Sequence, residues 1–218
     1  MKRDETAAII LAGGRSSRFG TDKALQPFLG RPLLARVMET LRPLVGEVLI
    51  VARDEGRRAE FEALNLEARL VVDGSPLRGS IVGLAAGLRG TTREYNFFAA
   101  CDMPFLNPGL IAHLLAVAGE DVAGEPGRRP VVVIPRWSSG LYEPLHSVYR
   151  QECLTAVENI LAGGSLRIID LFGAVPVRFV DETELRQFGP LEHAFMNINT
   201  RDDLARAERM ASEAEPSG

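Results

Sequence analysis

The chain has 218 residues, 46% of them hydrophobic and 25% charged, and its formal net charge is −4 at pH 7. This apolar content excludes an intrinsically disordered protein, and the length suits one large domain or two small ones. The acidic balance argues against a general binder of nucleic acids or membrane surfaces, because such a protein would carry a basic stripe.

The first half of the sequence alternates between short apolar runs and segments with helical spacing of apolar or small residues. Short apolar runs that end at Gly or Asp predict buried strands, and apolar residues three and four apart predict helices. The predicted strands are 6–11, 47–52, 69–72 and 95–100, and the predicted helices are 32–41, 54–64, 80–88 and 107–117. Four strand–helix units in this order predict a parallel sheet that is covered by helices on both faces.

The second half is less regular. Strands are predicted at 131–135, 144–149 and 174–180, helices at 151–161 and 200–210, and a frayed tail at 211–218. We therefore predict a single α/β domain with a doubly wound, mostly parallel sheet, divided into halves at about residues 6–118 and 119–210.

Two observations bear on the cellular compartment. Cys101 and Cys153 are too few for a disulfide framework, which favours a reduced environment. The apolar run after the charged first residues ends in glycines, so it predicts neither a signal peptide nor a membrane span. We expect a cytoplasmic protein that binds neither membranes nor nucleic acids.

Candidate site residues follow three predicted strands. Gly13 and Gly14 follow the first strand, Asp73 the third and Asp102 the fourth. A glycine pair alone is typical of a tight turn, and a lone Asp after a strand is typical of a helix cap. Because ligands of open α/β sheets bind beyond the carboxyl ends of the strands, the three together predict one crevice.

The loop after the first strand reads Leu-Ala-Gly-Gly-Arg-Ser-Ser-Arg-Phe-Gly-Thr-Asp-Lys. Its glycines allow backbone N–H groups to approach phosphate oxygens, and Arg15, Arg18 and Lys23 supply cations. The loop therefore predicts a polyphosphate site, with a solvated surface loop as the alternative. It matches neither the Walker A pattern nor Gly-x-Gly-x-x-Gly.

This loop resembles the sequence Leu-Ala-Gly-Gly-x-Ser-x-Arg-Met-Gly-x-Asp-Lys of the molybdenum cofactor guanylyltransferase family, often called MobA. Further blocks that resemble the family follow in its order, at residues 79–84, 101–106, 144–149 and 195–204. The resemblance extends over about residues 6 to 206. It implies a Rossmann-like nucleotidyltransferase fold with a nucleotide-binding half and an acceptor-binding half.

The resemblance also implies a reaction. Members of this family transfer GMP from GTP to molybdopterin with Mg²⁺ and release pyrophosphate. The implied partners are GTP and molybdopterin, with other cofactor-biosynthesis proteins or acceptor molybdoenzymes as further partners.

Site roles carry over from the resemblance residue by residue. The catalytic residues are Arg18, Lys23 and Asp102, and Asp102 is also the implied metal ligand. The nucleotide-binding residues are Leu11, Ala12, Gly13, Gly14, Lys23, Asp73 and Asp102. The acceptor-binding residues are Gly79, Asn197 and Asn199, for which turn formation before a last helix capped by Thr200 is the alternative.

The sequence departs from the family pattern at a few positions. Phe19 replaces Met, and Ser80 and Arg201 stand where Pro is common. Arg53 lies where some members have Asn, so no base contact is assigned to it. The roles of His146 and Trp137 are left open, with substrate contact and packing as the alternatives.

Two other functions compete with guanylyl transfer. A CTP-dependent molybdenum cofactor cytidylyltransferase shares the expected fold, but its loop more often reads Leu-Ala-Ala-Gly, with Asn-Lys in place of Asp22 and Lys23. A non-catalytic nucleotide-binding module would be expected to lack Lys23 or Asp102, and the sequence has both.

Overall fold

The structure is a computed structural model that describes residues 1–13 and 22–214. The loop predictions for Gly14, Arg15 and Arg18 lie outside the described residues. Among the described residues, no helix is both long and apolar enough to cross a membrane.

A seven-stranded sheet forms the centre of the molecule. Its strands are β1 (Thr6–Leu11), β4 (Glu47–Ala52), β5 (Arg69–Val72), β6 (Tyr95–Ala100), β7 (Val132–Arg136), β8 (His146–Arg150) and β9 (Val177–Asp181). The spatial order is β5-β4-β1-β6-β8-β7-β9. Strand β8 is antiparallel to β6 and β7, whereas the other neighbouring pairs are parallel. The prediction of a mostly parallel sheet is confirmed.

Eight α-helices surround this sheet in the described part of the chain. They are α1 (Leu33–Leu41), α2 (Glu55–Glu62), α3 (Ser80–Gly90), α4 (Pro108–Ala118), α5 (Cys153–Ala162), α6 (Glu182–Leu185), α7 (Leu191–Ala194) and α8 (Arg201–Ala214). Short 3-10 helices lie at Arg3–Glu5, Ile168–Gly173 and Arg186–Phe188. Helices α2 and α4 have side-chain caps, because Asp54 and Asn107 accept hydrogen bonds from backbone N–H groups in the first turns.

The sheet has a hydrophobic core on each face. Ala8 and Ile10 of β1 belong to the core that includes residues of α1 and α4. Ile9, between them, belongs to the opposite core, with residues of α3 and α5. This alternation is the two-residue period of a strand buried on both faces, and it confirms the doubly wound arrangement.

Helix α3 packs closely on the sheet because glycines face it. A Cβ atom on Gly83 would lie 2.2 Å from Cδ1 of Leu11, and one on Gly87 would lie 2.3 Å from Cγ2 of Ile9. No side chain fits at those distances without displacing its neighbour. The small residues of this helix thus determine how near α3 lies to β1.

Two differences from the sequence prediction have clear causes. Helix α8 continues through Ala214, so the predicted tail is wrong for residues 211–214. Leu204, Ala207 and Ala211 lie on one helical face and pack in a small third core, so the apolar period extends the helix. The hairpin of β2 (Pro27–Phe28) and β3 (Arg31–Pro32) was not predicted, because two-residue strands carry no periodicity.

Candidate active site

A cleft of about 700 Å³ lies at the carboxyl ends of β1, β4 and β5. It is lined by Leu11, Gly13, Arg53, Asp54, Arg57, Asp73, Arg78, Gly79 and Ser80. Four of these residues were predicted as site residues from the sequence: Leu11, Gly13, Asp73 and Gly79. The first three were expected near the nucleotide and Gly79 near the acceptor, whereas the structure brings all four to one cleft.

Backbone hydrogen bonds hold the strand ends together at this edge. The N–H of Ala12 donates to the carbonyl of Val51 at 3.0 Å, and the N–H of Asp73 donates to Ala52 at 2.9 Å. Because its backbone is engaged in this way and its side chain is buried, Ala12 does not line the cleft. Gly13 does, and a Cβ there would lie 3.3 Å from Cβ of Arg53, which leaves little room for a side chain.

A lysine, a carboxylate and an amide meet beside the end of β6. Nζ of Lys23 donates to Oδ2 of Asp102 at 2.9 Å and to Oδ1 of Asn199 at 2.6 Å. The N–H of Ile198 donates to the carbonyl of Asp102 at 2.9 Å, which fixes the segment that carries Asn199 against the strand end. Three residues predicted from distant parts of the sequence therefore form one cluster.

The start of α8 holds Asn199 in place. The carboxylate of Asp203 accepts from the N–H groups of Asn199 and Thr200 and from the Thr200 hydroxyl, which in turn accepts from the N–H of Asp203. This reciprocal cap confirms Thr200 as the capping residue. Burial alone would raise the pKa of Asp203, but the hydrogen bonds from Thr200 and Asn199 outweigh it and lower the pKa. The neighbouring Asn197 donates to the carbonyl of Phe195 at 3.1 Å.

The chemistry of Asp102 fits a magnesium ion whose coordination is completed by substrate. Among the described residues, no three His, Cys, Asp or Glu side chains are grouped to hold a metal by themselves. Mg²⁺ is usually bound by one or two carboxylates together with phosphate oxygens and water. Asp102, 14% exposed at the end of the strand next to β1, meets that requirement.

Three arginines of the cleft were not assigned to the site from the sequence. Within the described part of the chain, neither Arg53 nor Arg78 has an ion-pair partner, whereas Arg57 pairs with Asp22 and Glu60. Arg53 follows β4 directly, so the strand-end argument used for Asp73 could have identified it. No local pattern indicates Arg57, because it lies inside a helix that reads as an ordinary charged surface helix.

His146 and Trp137 are both engaged in packing. His146 is fully buried, with ring centroids 5.1 Å from Phe97 and 4.8 Å from Phe195, and burial lowers its pKa to about 3. Nε1 of Trp137 donates to Glu143 at 2.7 Å, and the indole lies edge-on to Phe195 at 5.5 Å. Burial raises the pKa of the Glu143 carboxyl. Neither His146 nor Trp137 lines the cleft described above.

Comparison with known proteins gives one consistent family. The model of the MobA-like NTP transferase domain matches residues 8–174. The chain is 36% identical over 211 residues to the probable molybdenum cofactor guanylyltransferase of Methanosarcina mazei, with 93% of this chain and 90% of the relative covered. It is 35% identical over 206 residues to the molybdenum cofactor guanylyltransferase of Desulfosudis oleivorans, with 94% and 95% covered.

A solved structure agrees with these relatives. The molybdopterin-guanine dinucleotide biosynthesis protein A from Archaeoglobus fulgidus has a TM-score of 0.80 and 30% identity, with 95% of this chain and 99% of that chain covered. The fold is that of a Rossmann-like nucleotidyltransferase. The chain belongs to the family of MobA-like NTP transferase domains, as the resemblance predicted.

Proposed function

We propose that this protein transfers GMP from GTP to molybdopterin, releases pyrophosphate and forms molybdopterin guanine dinucleotide. The names of its relatives support this reaction. The structural observation that carries the proposal is the contact of Lys23 with Asp102 beside the cleft at the carboxyl edge of the sheet. A cation and a potential metal ligand in contact, next to a cleft of this size, suit a nucleoside triphosphate.

The reaction requires charge neutralisation more than acid–base chemistry. The terminal phosphate of molybdopterin attacks the α-phosphorus of GTP and a new P–O bond forms. The bond from that phosphorus to the oxygen bridging the α- and β-phosphates breaks, and this oxygen leaves with pyrophosphate. The attacking phosphate is already ionised near neutral pH, so no strong base is needed. Both substrates are anions, and Lys23, with Arg18 of the preceding loop, offsets their repulsion and the charge that develops on pyrophosphate.

Asp102 is the residue that would hold Mg²⁺. When bound, the ion neutralises phosphate charge and orients the triphosphate. GTP phosphates and water would complete its coordination, since the described residues offer no group of three or more metal-binding side chains.

We assign the two substrates to adjoining regions of this edge. The backbone at Leu11 and Gly13, together with Asp73, would bind the nucleoside in the cleft. Arg53 and Arg78, which have no ion-pair partner among the described residues, add positive charge there. The acceptor side would include Asn197, Asn199 and Gly79. Asn197 and Asn199 fall in the proposed acceptor half, residues 119–210, whereas Gly79 falls in the proposed nucleotide half, residues 6–118, and lines the cleft.

The test offers GTP, CTP and ATP separately with molybdopterin and Mg²⁺ and measures pyrophosphate release. We expect turnover with GTP to exceed that with the other two nucleotides. Equal or faster release with CTP would overturn the guanylyl assignment in favour of cytidylyl transfer. Tight GTP binding without release from any nucleotide would indicate a non-catalytic binding module instead.

A further inference from the structure

We propose that Arg57 is a positioning residue for Lys23: its buried guanidinium fixes Asp22, and Asp22 fixes the turn that carries the lysine. The inference rests on the proposed function, because it takes Lys23 to act on phosphate. It assigns a role to a residue outside the loop that resembles the family sequence, on helix α2, whose buried residues are Arg57 and Phe61.

Lys23 needs positioning because it lies on a turn and not within a helix or strand. The chain has 25 cationic side chains, of which Lys2 and Lys23 are the only lysines. An ammonium is compact and carries three donors on a flexible stem, so its location depends strongly on where the backbone holds the Cα atom. In this protein the ammonium lies between Asp102 and Asn199.

Asp22 organises that backbone from one side. Its Oδ1 accepts from the N–H of Ala24 at 2.8 Å, which closes a turn around Lys23. The carbonyl of Ala24 accepts from the N–H of Leu34 at 3.1 Å, and Ala24 itself is buried. Lys23 therefore lies between Asp22 and Ala24, and Ala24 is fixed by burial and by its hydrogen bond to α1.

Arg57 attaches Asp22 to helix α2. Its Nη1 forms ion pairs with Asp22 and Glu60, and its Cζ lies 4.7 Å from the ring centroid of the buried Phe61. The side chains of Arg57 and Asp22 are 9% and 15% exposed, whereas that of Glu60 is 52% exposed. Because a desolvated pair resists separation more than a solvated one, Asp22 is the partner that Arg57 holds firmly.

The second terminal nitrogen of the guanidinium, Nη2, indicates whether Arg57 acts on a ligand or through Asp22. Nη2 is buried and has no hydrogen-bond partner among residues 1–13 and 22–214. Although Arg57 contributes to the wall of the cleft, Nη2 is buried and Nη1 pairs with Asp22. The geometry thus favours an action through Asp22 and Lys23 over direct contact with a ligand.

The first test compares Arg57→Ala with Arg58→Ala in pyrophosphate release from GTP. We expect Arg57→Ala to lower kcat by about 100-fold, with a smaller change in KM, because a displacement of about 1 Å at a catalytic group has this effect. The matched control is the next residue of the same helix, 41% exposed and paired with Glu55 and Glu62. Its removal should leave kcat within about twofold, since exposed pairs contribute little.

A double-variant comparison separates positioning from general damage. If Arg57 acts through Lys23, Arg57→Ala should cause no further loss in a Lys23→Ala background, because the group it positions is already absent. A further loss in that background, multiplying the loss from Lys23→Ala, would overturn the proposal.

Chemical labelling tests the same idea without turnover. Trace acetylation followed by peptide mass spectrometry gives the reactivity of Lys23 relative to Lys2, the exposed internal reference. We expect Lys23 to react slowly in the wild-type protein and severalfold faster after Arg57→Ala. An unchanged ratio would contradict the proposal, whatever the nucleotide specificity proves to be.

These readouts distinguish the two proposals. A wild-type protein that releases no pyrophosphate from any nucleotide refutes the proposed function, while the labelling ratio still tests the positioning. If Arg57→Ala does not fold, Arg57→Lys and Asp22→Asn carry the same tests. Arg57→Lys keeps the positive charge but loses the planar guanidinium with its several N–H donors. Asp22→Asn keeps an acceptor for the N–H of Ala24 while it weakens the ion pair.

Discussion

Single residues in this protein handle buried charge in two different ways. Lys23 and Asp102 are partly buried and satisfy one another, and Asn199 adds a further acceptor. His146 is fully buried without a hydrogen bond to either ring nitrogen in the described part of the chain. The first arrangement keeps charged groups ready for a charged ligand, whereas the second keeps the imidazole neutral.

Asp102→Ala tests the carboxylate that we assign to Mg²⁺. We expect Mg²⁺-dependent pyrophosphate release to fall on the order of 100-fold or more, because charge stabilisation at the reacting phosphate is lost. The matched control is Asp202→Ala, which removes an exposed carboxylate from the first turn of α8. Circular dichroism and urea unfolding check that both variants fold, and retained activity in Asp102→Ala would refute the metal role.

The pH dependence of stability should report the burial of His146. Its pKa is about 3 in the folded protein against 6.5 for the free group, so below pH 6.5 the unfolded chain binds the proton more readily. The contribution of neutral, buried His146 to the stability of the fold is therefore fully present above pH 6.5. It is lost as the pH falls towards 3. The expected slope for one such group is about 1.4 kcal/mol per pH unit.

His146→Leu isolates this contribution. We expect the variant to unfold in urea at pH 7 with an unchanged or higher free energy, because it removes two buried nitrogens that have no partner in the described part of the chain. Between pH 6.5 and pH 5, the free energy of unfolding of the wild type should fall more steeply than that of the variant. Glu143 and the other carboxyl groups are common to both proteins, so parallel curves would show that His146 is protonated in the folded state.

At the scale of secondary-structure elements, close packing and capping position the site. Helix α3 approaches β1 through glycines, and β1 ends at Leu11 on the cleft. Helix α8 begins at the Thr200–Asp203 cap, next to the amide that contacts Lys23. These contacts position the end of β1 and the start of α8 at the carboxyl edge of the sheet, where the site lies.

Gly87→Ala tests the packing of α3. Alanine favours a helix over glycine by about 1 kcal/mol, but the added Cβ would meet Ile9 and overpacking costs about 1–3 kcal/mol. Since the Cβ would lie 2.3 Å from Ile9, we expect the clash to dominate and the urea midpoint to fall.

Gly56→Ala is the control for this change, because Gly56 lies on the exposed face of α2 and its nearest contact for a Cβ would be 3.3 Å. The contact is with Oδ1 of Asp54, which has to shift slightly, so we expect a smaller change in the urea midpoint than for Gly87→Ala. A more stable Gly87→Ala would show that α3 can move away from β1 at little cost.

At the scale of the whole molecule, charge is distributed unevenly. The net charge is −4, yet Arg53 and Arg78 lie unpaired in the cleft among the described residues, and Lys23 lies beside it. The negative net charge therefore disfavours binding of large polyanions, while the positive charge in the cleft favours binding of a single nucleotide.

Ligand binding should stabilise the whole fold, because the cleft is formed by the ends of three strands. With GTP and Mg²⁺ at about 100 times the dissociation constant, we expect about 2.7 kcal/mol of added stability. Thermal unfolding with GTP, CTP or no nucleotide measures this effect. A larger shift with CTP than with GTP at equal concentration would count against the guanine preference.

Much of the architecture could be predicted because its signals are local. The apolar periods predicted most central strands and helices to within two residues, and Thr200 caps the last helix, as one of the alternatives had it. The strand-end argument selected Asp73 and Asp102, since parallel strands end at one edge of a sheet.

The contacts between distant segments could not be predicted in this way. Three features depend on residues far apart in the sequence. They are the pairing of β8 with both β6 and β7, the ion pair of Arg57 with Asp22, and the packing that buries His146. The sequence by itself determined most of the sheet strands and longer helices and the residues at the strand ends, because these depend on neighbours within a few positions. Only the tertiary structure decided which strand ends share a cleft and which charges meet, because those contacts depend on how the two cores pack against the sheet.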